Sequence, residues 1–354
     1  MSGSRQAAGA PVYFPAFDWM RLVLAMTVAL AHDGVPMDHN ASNFAVQVFF
    51  ALSGWLIGGI LFDGARKSLP RFYFNRATRI WAPYYFSVAL IFAVSLIKEP
   101  LDAHWIEYLF YDFTYTHNWF VSPRILEIKS DLPLEGTTNH FWSLSVEEQF
   151  YLFAPLLILF LKWGRSPVLW AVVAILAIGF QTFYGAIALG VFAVSLNRKI
   201  GDWHVKRGST ILLVVALSLC VIIYAAAGQL YNFVSPFAAV LIVLLLARAG
   251  PKLKLAAFVG GISYPLYLNH WLGIFISHEI AQTLPFVSRY TAVFIGALVN
   301  IAIASVLFIA IDEQVRKRRN QWFTKVRGRA AAMIAYGLVT LGAVGGILIS
   351  VARL

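Results

Sequence analysis

The chain has little cysteine and little charge. Cys220 is the single cysteine among 354 residues, which excludes disulfides within this sequence and metal sites built on several cysteines. Charged residues make up only 13% of the sequence, whereas hydrophobic residues make up 60% and the mean hydropathy is +0.71. Ordinary soluble proteins carry about twice this share of charge. The shortage of charge therefore argues against a soluble globular protein and favours a membrane protein.

Apolar runs of roughly the length needed to cross a bilayer recur along the sequence. About 20 such residues in a helix span the hydrocarbon core, where every backbone polar group needs an internal partner. The sequence predicts an all-α polytopic membrane protein with about 10–11 transmembrane helices. The predicted spans are 16–33, 44–62, 80–97, 142–161, 168–182, 184–197, 209–227, 232–247, 256–277, 290–311 and 331–352.

The net charge of +11 follows the predicted membrane and does not indicate a nucleic-acid partner. Most of the 28 Lys and Arg residues fall on one side if the N-terminus is cytoplasmic. The positive-inside rule then predicts a cytoplasmic tail over 1–15, an external segment over 98–141 and an external C-terminus. We expect 16–354 to form one transmembrane domain without an extra soluble domain.

The stretch 168–197 is the weakest part of this topology, because basic clusters at both ends place both ends inside. Two helices of ~15 residues reach only about 22 Å each, less than the ~30 Å hydrocarbon core. Two short crossings and a re-entrant hairpin both remain open.

Arg21 and His32 lie in the first predicted span, where ionisable side chains usually mark a functional pathway. Eleven residues turn a helix through about 1100°, only ~20° beyond three revolutions, so both side chains share a face. They are about 16 Å apart along the helix axis. This arrangement suits a long ligand that is anionic at one end and reactive at the other. The alternative is a snorkelling arginine and an interfacial histidine at the two ends of a span.

Arg76 and Arg79 form a second basic pair, within a loop predicted at 63–79. If they lie on a helix leading into the third span, their i,i+3 spacing puts them on one face. Two guanidinium groups there can grip phosphate oxygens. The alternative is that they only orient the chain in the membrane.

Glu147 and Glu148 lie near the start of the fourth predicted span. Ser143 or Ser145 could cap this helix, and carboxylates in its first turns complement the helix dipole. Adjacent helical residues point about 100° apart, so one of the two glutamates should face inward. A buried carboxylate beside an imidazole can orient it and stabilise its protonated form.

The external segment 98–141 combines aromatic and acidic residues, which suit sugar binding or an aromatic belt at the membrane interface. Its histidines, and one in the preceding outer loop, are expected to be solvated: His39, His104, His117 and His140. Asp33 adjoins His32 but should point elsewhere on a continuing helix. No His, Asp and Glu cluster has metal-like spacing, so no metal site is predicted.

Several motifs together resemble the acyltransferase-3 family of integral membrane O-acyltransferases, which modify bacterial surface glycans. They are Arg21 and His32 with ten residues between them, FFALSGWLIGGILF at 49–62, Arg76-x-x-Arg79, WSLSVEEQFYL at 142–152 and ISYPLYLNHW at 262–271. The resemblance covers most of the chain. Two departures are Gln47, where many members carry Asp, and the absence of an esterase-like domain after the last predicted span.

The resemblance implies a multi-pass protein of the bacterial inner membrane that takes an acyl group, commonly acetyl, from cytoplasmic acyl-CoA. The acceptor would be a hydroxyl of a carbohydrate or glycolipid, and no permanently bound cofactor is implied. The implied site residues are His32 and Glu147 for catalysis and Arg21, Arg76 and Arg79 for the donor. Secondary candidates are Glu148, His270, Ser53 and Trp142. His32 would be the general base or a transient acyl carrier.

A transporter or glycolipid flippase is the main rival, since it would also place charges in membrane spans. Such proteins more often show inverted repeats and discontinuous helices, which the sequence does not reveal.

Overall fold

The computed structural model describes residues 13–284 and 286–353, of which 85% are helical and none lies in a strand. The predicted tail over 1–15 falls almost wholly outside these residues. The helices used below are α1 Pro15–His32, α2 Ala41–Asp63, α3 Leu69–Lys98, α4 Ala103–Phe113, α5 Trp142–Phe160, α6 Pro167–Gly179, α7 Gly185–Ile200, α8 Arg207–Ala226, α9 Tyr231–Leu246, α10 Lys254–Thr283, α11 Arg289–Leu307, α12 Glu313–Trp322 and α13 Lys325–Ala352.

Each predicted span has its own helix, and among the thirteen helices given above α4 and α12 are the two that lie outside the predicted spans. In the described part of the chain, seven helical segments are long and apolar enough to cross a membrane. The fold is therefore that of an all-α polytopic membrane protein, as the sequence predicts. The cytoplasmic position of the N-terminus stays a prediction.

The third span differs from the sequence prediction at its start. Helix α3 begins at Leu69 and runs for 30 residues, so Arg76 and Arg79 lie on the helix and not in a loop before it. Pro70 lies in the first turn of α3. Backbone N–H groups in the first turn have no partner within the helix, so the missing N–H of proline costs no helical hydrogen bond there. The i,i+3 relationship of the two arginines is thus realised on one helix face.

The stretch 168–197 forms two separate helices, α6 of 13 residues and α7 of 16 residues. Both are shorter than the ~20 residues of a full crossing. Helix α7 packs tightly on α2, because a Cβ at Gly54 would lie 2.1 Å from the Ile187 carbonyl oxygen. Small residues allow such close backbone approach between helices in a membrane. Helix α7 is thus part of the bundle wall around α2, and α6 packs on α7.

A second close approach brings α1 against α10. A Cβ at Gly260 of α10 would lie 2.3 Å from Oδ1 of Asp18 on α1, so only glycine fits there. The two helices then run side by side, and this brings His32 at the end of α1 next to His270 on α10. The small size of Gly260 therefore contributes to placing the two histidines of the site described below next to each other.

The segment 98–141 folds as α4 followed by short helical turns. The prediction of an aromatic surface on this segment is wrong for three of its tyrosines. Tyr108, Tyr111 and Tyr115 are each at most 2% exposed and pack in the core. Glu107 is also buried and pairs with Arg353. These residues stabilise the packing of the segment on the bundle and offer no free aromatic face for a sugar.

Two histidines of this segment are buried, against the sequence prediction. His117 is 0% exposed and its Nδ1 lies 2.7 Å from Oδ1 of Asp112. Burial raises the pKa of the Asp112 carboxyl, and the adjacent His117 opposes that rise. His140 is 4% exposed, whereas His39 and His104 are exposed as predicted.

The predicted orientation can be tested with single cysteines. In a Cys220→Ser background, a cysteine replacing Leu126, whose side chain is 97% exposed, should react with a membrane-impermeant maleimide in intact cells. A cysteine replacing the exposed Lys67 should react only after the cells are permeabilised. This follows from the excess of basic residues on the Lys67 side. Labelling of position 67, but not 126, in intact cells would mean that the orientation is reversed.

Candidate active site

Two adjoining cavities lie between α1, α2, α3, α5 and α10. The arginine cavity, about 310 Å³, is lined among others by Arg21, Arg76, Arg79, Ser53, Glu147 and Tyr151. The histidine cavity, about 350 Å³, is lined among others by His32, Ser42, Asn139, His140 and Trp142. Val46 and Tyr267 line both cavities, so the two cavities adjoin at these residues. Arg21 thus lines one of two adjoining cavities and His32 the other, as their shared helix face predicts.

Arg21 is held in place by acidic and aromatic neighbours. Its NH1 donates a 2.8 Å hydrogen bond to Asp18, and the hydroxyl of Tyr13 donates a 2.5 Å hydrogen bond to the same carboxylate. The Arg21 side chain is only 18% exposed. The guanidinium therefore reaches the cavity in a defined orientation.

Arg76 and Arg79 project from α3 into the same cavity. Within residues 13–284 and 286–353, neither forms an ion pair, and the buried Nε of Arg76 has no hydrogen-bond partner. Unpaired guanidinium groups in a partly enclosed space favour an anionic ligand, because a buried charge needs a partner. Phosphate and carboxylate are the anions that match their planar donor geometry.

Glu147 lies at the arginine end and not beside His32. Its Oε1 accepts hydrogen bonds from the hydroxyls of Ser53 and Tyr151. The Arg76 guanidinium lies over the Tyr151 ring, 5.7 Å from its centroid. The idea that an inward-facing glutamate orients the imidazole is therefore wrong. Glu147 instead organises the polar wall of the arginine cavity.

Glu148 is buried at 3% exposure and accepts a 2.9 Å hydrogen bond from the indole N–H of Trp81. It does not line either cavity. Ser143 and Ser145 do not cap α5, since their hydroxyls bond to the carbonyls of His140 and Phe141. The helix begins at Trp142, so the serines lie inside its first turn.

His32 is oriented by a second histidine. Its Nδ1 lies 2.9 Å from Nε2 of His270, and Nδ1 of His270 lies 2.7 Å from the carbonyl oxygen of Tyr267. A carbonyl can only accept, so His270 Nδ1 carries a proton and, in the neutral ring, its Nε2 accepts. His32 Nδ1 must then be the donor. This leaves the Nε2 lone pair of His32 facing the histidine cavity, where it can take a proton.

The surroundings of this histidine pair are also ordered. His140 packs edge-on against His270, with ring centroids 5.1 Å apart, and its two nitrogens face the carbonyls of Thr137 and Leu268. Asp33 points away from His32 and pairs with Arg289 at 2.6 Å. His270 itself is 2% exposed, so its position is set by packing as well as by hydrogen bonds.

The structure brings together most of the residues selected from the sequence. Arg21, Arg76, Arg79, Glu147 and Ser53 meet in the arginine cavity, and Trp142 joins His32 in the histidine cavity. The sequence reading missed Tyr151, Tyr267, His140 and Ser42. Two of these could have been found, because Tyr267 lies one turn before His270 and Tyr151 one turn after Glu147. No sequence signal distinguishes Ser42.

Comparison with known proteins gives a consistent result. The model of the family described as "Acyltransferase domain" matches residues 14–311. The chain is 29% identical over 167 residues to "Peptidoglycan O-acetyltransferase OatA" of Listeria monocytogenes, covering 44% of this chain and 26% of that protein. It is 26% identical over 166 residues to "O-acetyltransferase OatA" of Staphylococcus aureus, with the same coverage. The chain therefore spans about a quarter of the length of these relatives. No solved structure matches it.

Proposed function

Since the chain belongs to the acyltransferase-3 family, we propose that it moves an acyl group from acyl-CoA to a hydroxyl of a cell-surface or exported carbohydrate. Acetyl is the proposed group, because the relatives described above are named O-acetyltransferases. The observation that carries the proposal is an oriented imidazole whose Nε2 lone pair faces a cavity that adjoins an arginine-lined one.

The arginine cavity is the proposed donor site. Coenzyme A is anionic at its phosphates and reactive at its thioester, so the two ends need different surroundings. Arg76 and Arg79, together with Arg21, supply the charge for the phosphates. The thioester would then reach toward His32, about 16 Å along α1 from Arg21. That distance is comparable with the extended pantetheine arm of the donor.

The histidine cavity is the proposed acceptor site. Polar side chains line it, including Asn43 and Asn139, and Trp142 offers an aromatic face. His32 Nε2 removes the proton of an acceptor hydroxyl as oxygen attacks the thioester carbonyl. The C–S bond breaks, and the proton passes from His32 to the departing thiolate. Free coenzyme A and an O-acyl sugar are the products, and the imidazole returns to its neutral form.

The proposed location is the bacterial inner membrane, with the donor reaching the site from the cytoplasm. The proposed acceptors are glycans of the cell envelope: peptidoglycan, lipopolysaccharide or exopolysaccharide. The Listeria relative is named a peptidoglycan O-acetyltransferase, which supports this class of acceptor. The lipid bilayer surrounds the bundle, as expected from helices such as α8, where a single residue, Leu213, is buried.

The test combines purified protein and whole cells. Purified protein with radiolabelled acetyl-CoA should release free coenzyme A thiol and transfer label to a glycan acceptor. Mass spectrometry of envelope glycans, from cells with and without the gene, should show O-acetyl groups that depend on it. Retained glycan acetylation in the gene deletion, with no thioester cleavage by the pure protein, would leave a flippase or transporter as the better reading.

His270 provides a separate test of the site geometry. Replacing it with alanine removes the acceptor for the His32 Nδ1 proton and lets the imidazole adopt the wrong tautomer or orientation. We expect kcat to fall by at least ~10-fold, and by up to ~10⁴-fold, the cost of losing the orienting group of a serine-protease triad. The affinity for acyl-CoA should stay close to that of the wild type.

His270→Gln should recover part of the activity, since an amide oxygen can accept the Nδ1 proton. His104→Ala is the matched control, because His104 is an exposed histidine of α4 that lines neither cavity. The measurements are steady-state rates and donor titration on monodisperse protein. Equal rates for His270→Ala and wild type would rule out the orienting role.

A further inference from the structure

We propose that Ser42 carries the acyl group between donor and acceptor as a serine ester. The inference rests on the acyl transfer proposed above and adds a covalent step to it. Ser42 lies in the first turn of α2 and lines the histidine cavity. Its hydroxyl oxygen is 3.2 Å from Nε2 of His32. Ser42 is therefore the hydroxyl already in contact with the nitrogen that can act as a base.

The three side chains have the arrangement of an activated serine. Because the Nε2 of His32 holds the lone pair, the Ser42 hydroxyl is the donor in this contact. His32 Nδ1 in turn donates to His270 at 2.9 Å, and the Tyr267 carbonyl holds His270. Nucleophile, base and orienting group within hydrogen-bond reach define covalent catalysis on several unrelated folds. Here a histidine takes the place of the orienting carboxylate.

The start of α2 adds electrostatic support for the reaction. The N–H groups of Ala41 and Phe44 bond to the carbonyls of Asp38 and Asn40. Between them, the N–H groups of Ser42 and Asn43 have no acceptor in the described part of the chain. First-turn N–H groups carry the positive end of the helix dipole. They can stabilise the oxyanion that forms when the Ser42 hydroxyl attacks a carbonyl carbon.

The position of Ser42 also fits a relay between the two cavities. Val46 lies one turn after Ser42 on α2 and lines both cavities. Donor and acceptor are proposed to arrive from opposite sides of the membrane. A serine ester would hold the acyl group at the junction, so that a glycan hydroxyl can enter after coenzyme A has left the reacting position. Neither substrate would then have to share the cavity with the other.

Two balanced steps follow. In the first, Ser42 Oγ attacks the thioester carbonyl, His32 takes the hydroxyl proton, the C–S bond breaks and the proton passes to the thiolate. Coenzyme A leaves as the thiol, and Ser42 carries an ester. In the second, the acceptor hydroxyl attacks that ester and His32 takes its proton. The bond between the acyl carbon and Ser42 Oγ breaks, and the proton returns from His32 to Ser42 Oγ.

The experiment traps the ester. The full-length protein in detergent is mixed with carbonyl-labelled acetyl-CoA without acceptor, quenched in acid within the first turnover and digested for mass spectrometry. We expect one acetyl group on Ser42 and a burst of coenzyme A thiol equal to the enzyme present. Ser42→Ala should lose both and should lower glycan acetylation at least ~100-fold, while donor titration shows that it still binds acyl-CoA.

Ser209→Ala is the matched control, because Ser209 lies in the first turn of α8 and lines neither cavity. The Ser209→Ala variant should still show the acetyl label on Ser42 and the burst of coenzyme A thiol. Ser42→Cys should form a thioester at the same position, which confirms a folded site independently of the alanine variant.

Three results would overturn the serine ester. One is wild-type protein that acetylates glycan but carries no label at any time point. Another is label on His32 with none on Ser42, and the third is a Ser42→Ala variant that acetylates glycan at the wild-type rate. In each of these three cases the proposed acyl transfer would remain valid without the serine ester. Wild-type protein that neither cleaves acetyl-CoA nor acetylates glycan would refute the proposed function and this inference with it.

Discussion

Replacing His32 with alanine is expected to remove most acyl transfer, by about 10²–10⁴-fold in rate, the usual contribution of a general base. The expectation follows from the hydrogen bonds that leave the Nε2 lone pair of His32 facing the histidine cavity, where the Ser42 hydroxyl contacts it. If Ser42 forms the ester, His32 acts in both steps and the loss should fall at the upper end of this range. Donor affinity should change little, because the arginines lie in the other cavity.

The measurement is glycan acetylation in cells, with acyl-CoA titration on purified, monodisperse variants. The matched control is His104→Ala, which should behave as wild type. His39→Ala is unsuitable as a control, since His39 lines the histidine cavity although its side chain is 82% exposed. Substantial acetylation by His32→Ala at wild-type expression would exclude His32 as the base and leave the family assignment intact.

Removing Arg76 or Arg79 is expected to weaken acyl-CoA binding. A hydrogen bond to a charged group contributes roughly 1.5–3 kcal/mol, so each alanine variant should raise Kd about 10- to 100-fold. Neither arginine has an ion-pair partner among the described residues, so its removal leaves no carboxylate without a partner. The loss should therefore report on the ligand and not on a disrupted salt bridge.

Lysine at either position should restore binding only in part, because an ammonium group cannot make the planar two-point contact. Arg66→Ala is the control: Arg66 lies on the same predicted side but bonds to the Leu159 carbonyl and lines neither cavity. Isothermal titration with acetyl-CoA supplies the affinities. Unchanged Kd in both alanine variants would make these arginines topology signals only.

The corrected position of Glu147 changes what is expected of it. The carboxylate bonds to Ser53 and Tyr151 at the arginine end, so it cannot orient the His32 imidazole. A role in shaping the donor site fits its contacts better, since the Tyr151 ring supports the Arg76 guanidinium. The orienting function passes to His270, which lies on a different helix.

Local periodicity explains what could be predicted from the sequence. The apolar runs predict the helices at the positions of the predicted spans, and seven helical segments of the described chain are long and apolar enough to cross a membrane. The common face of Arg21 and His32 follows from helix geometry alone, as does the pairing of Arg76 with Arg79. These relationships involve residues within a few turns of each other.

Contacts between distant segments were decided only by the tertiary structure. His270 and Ser42 meet His32 because α1 packs beside α10 and α2. His270 is 238 positions after His32 in the sequence, and no periodic signal over that distance predicts the contact. Helix geometry required one of Glu147 and Glu148 to face inward, but the neighbouring helices determined that Glu147 faces the arginines. The prediction that His117 and His140 are solvated was wrong for the same reason. Burial depends on which segments pack against a residue and not on the polarity of its own side chain.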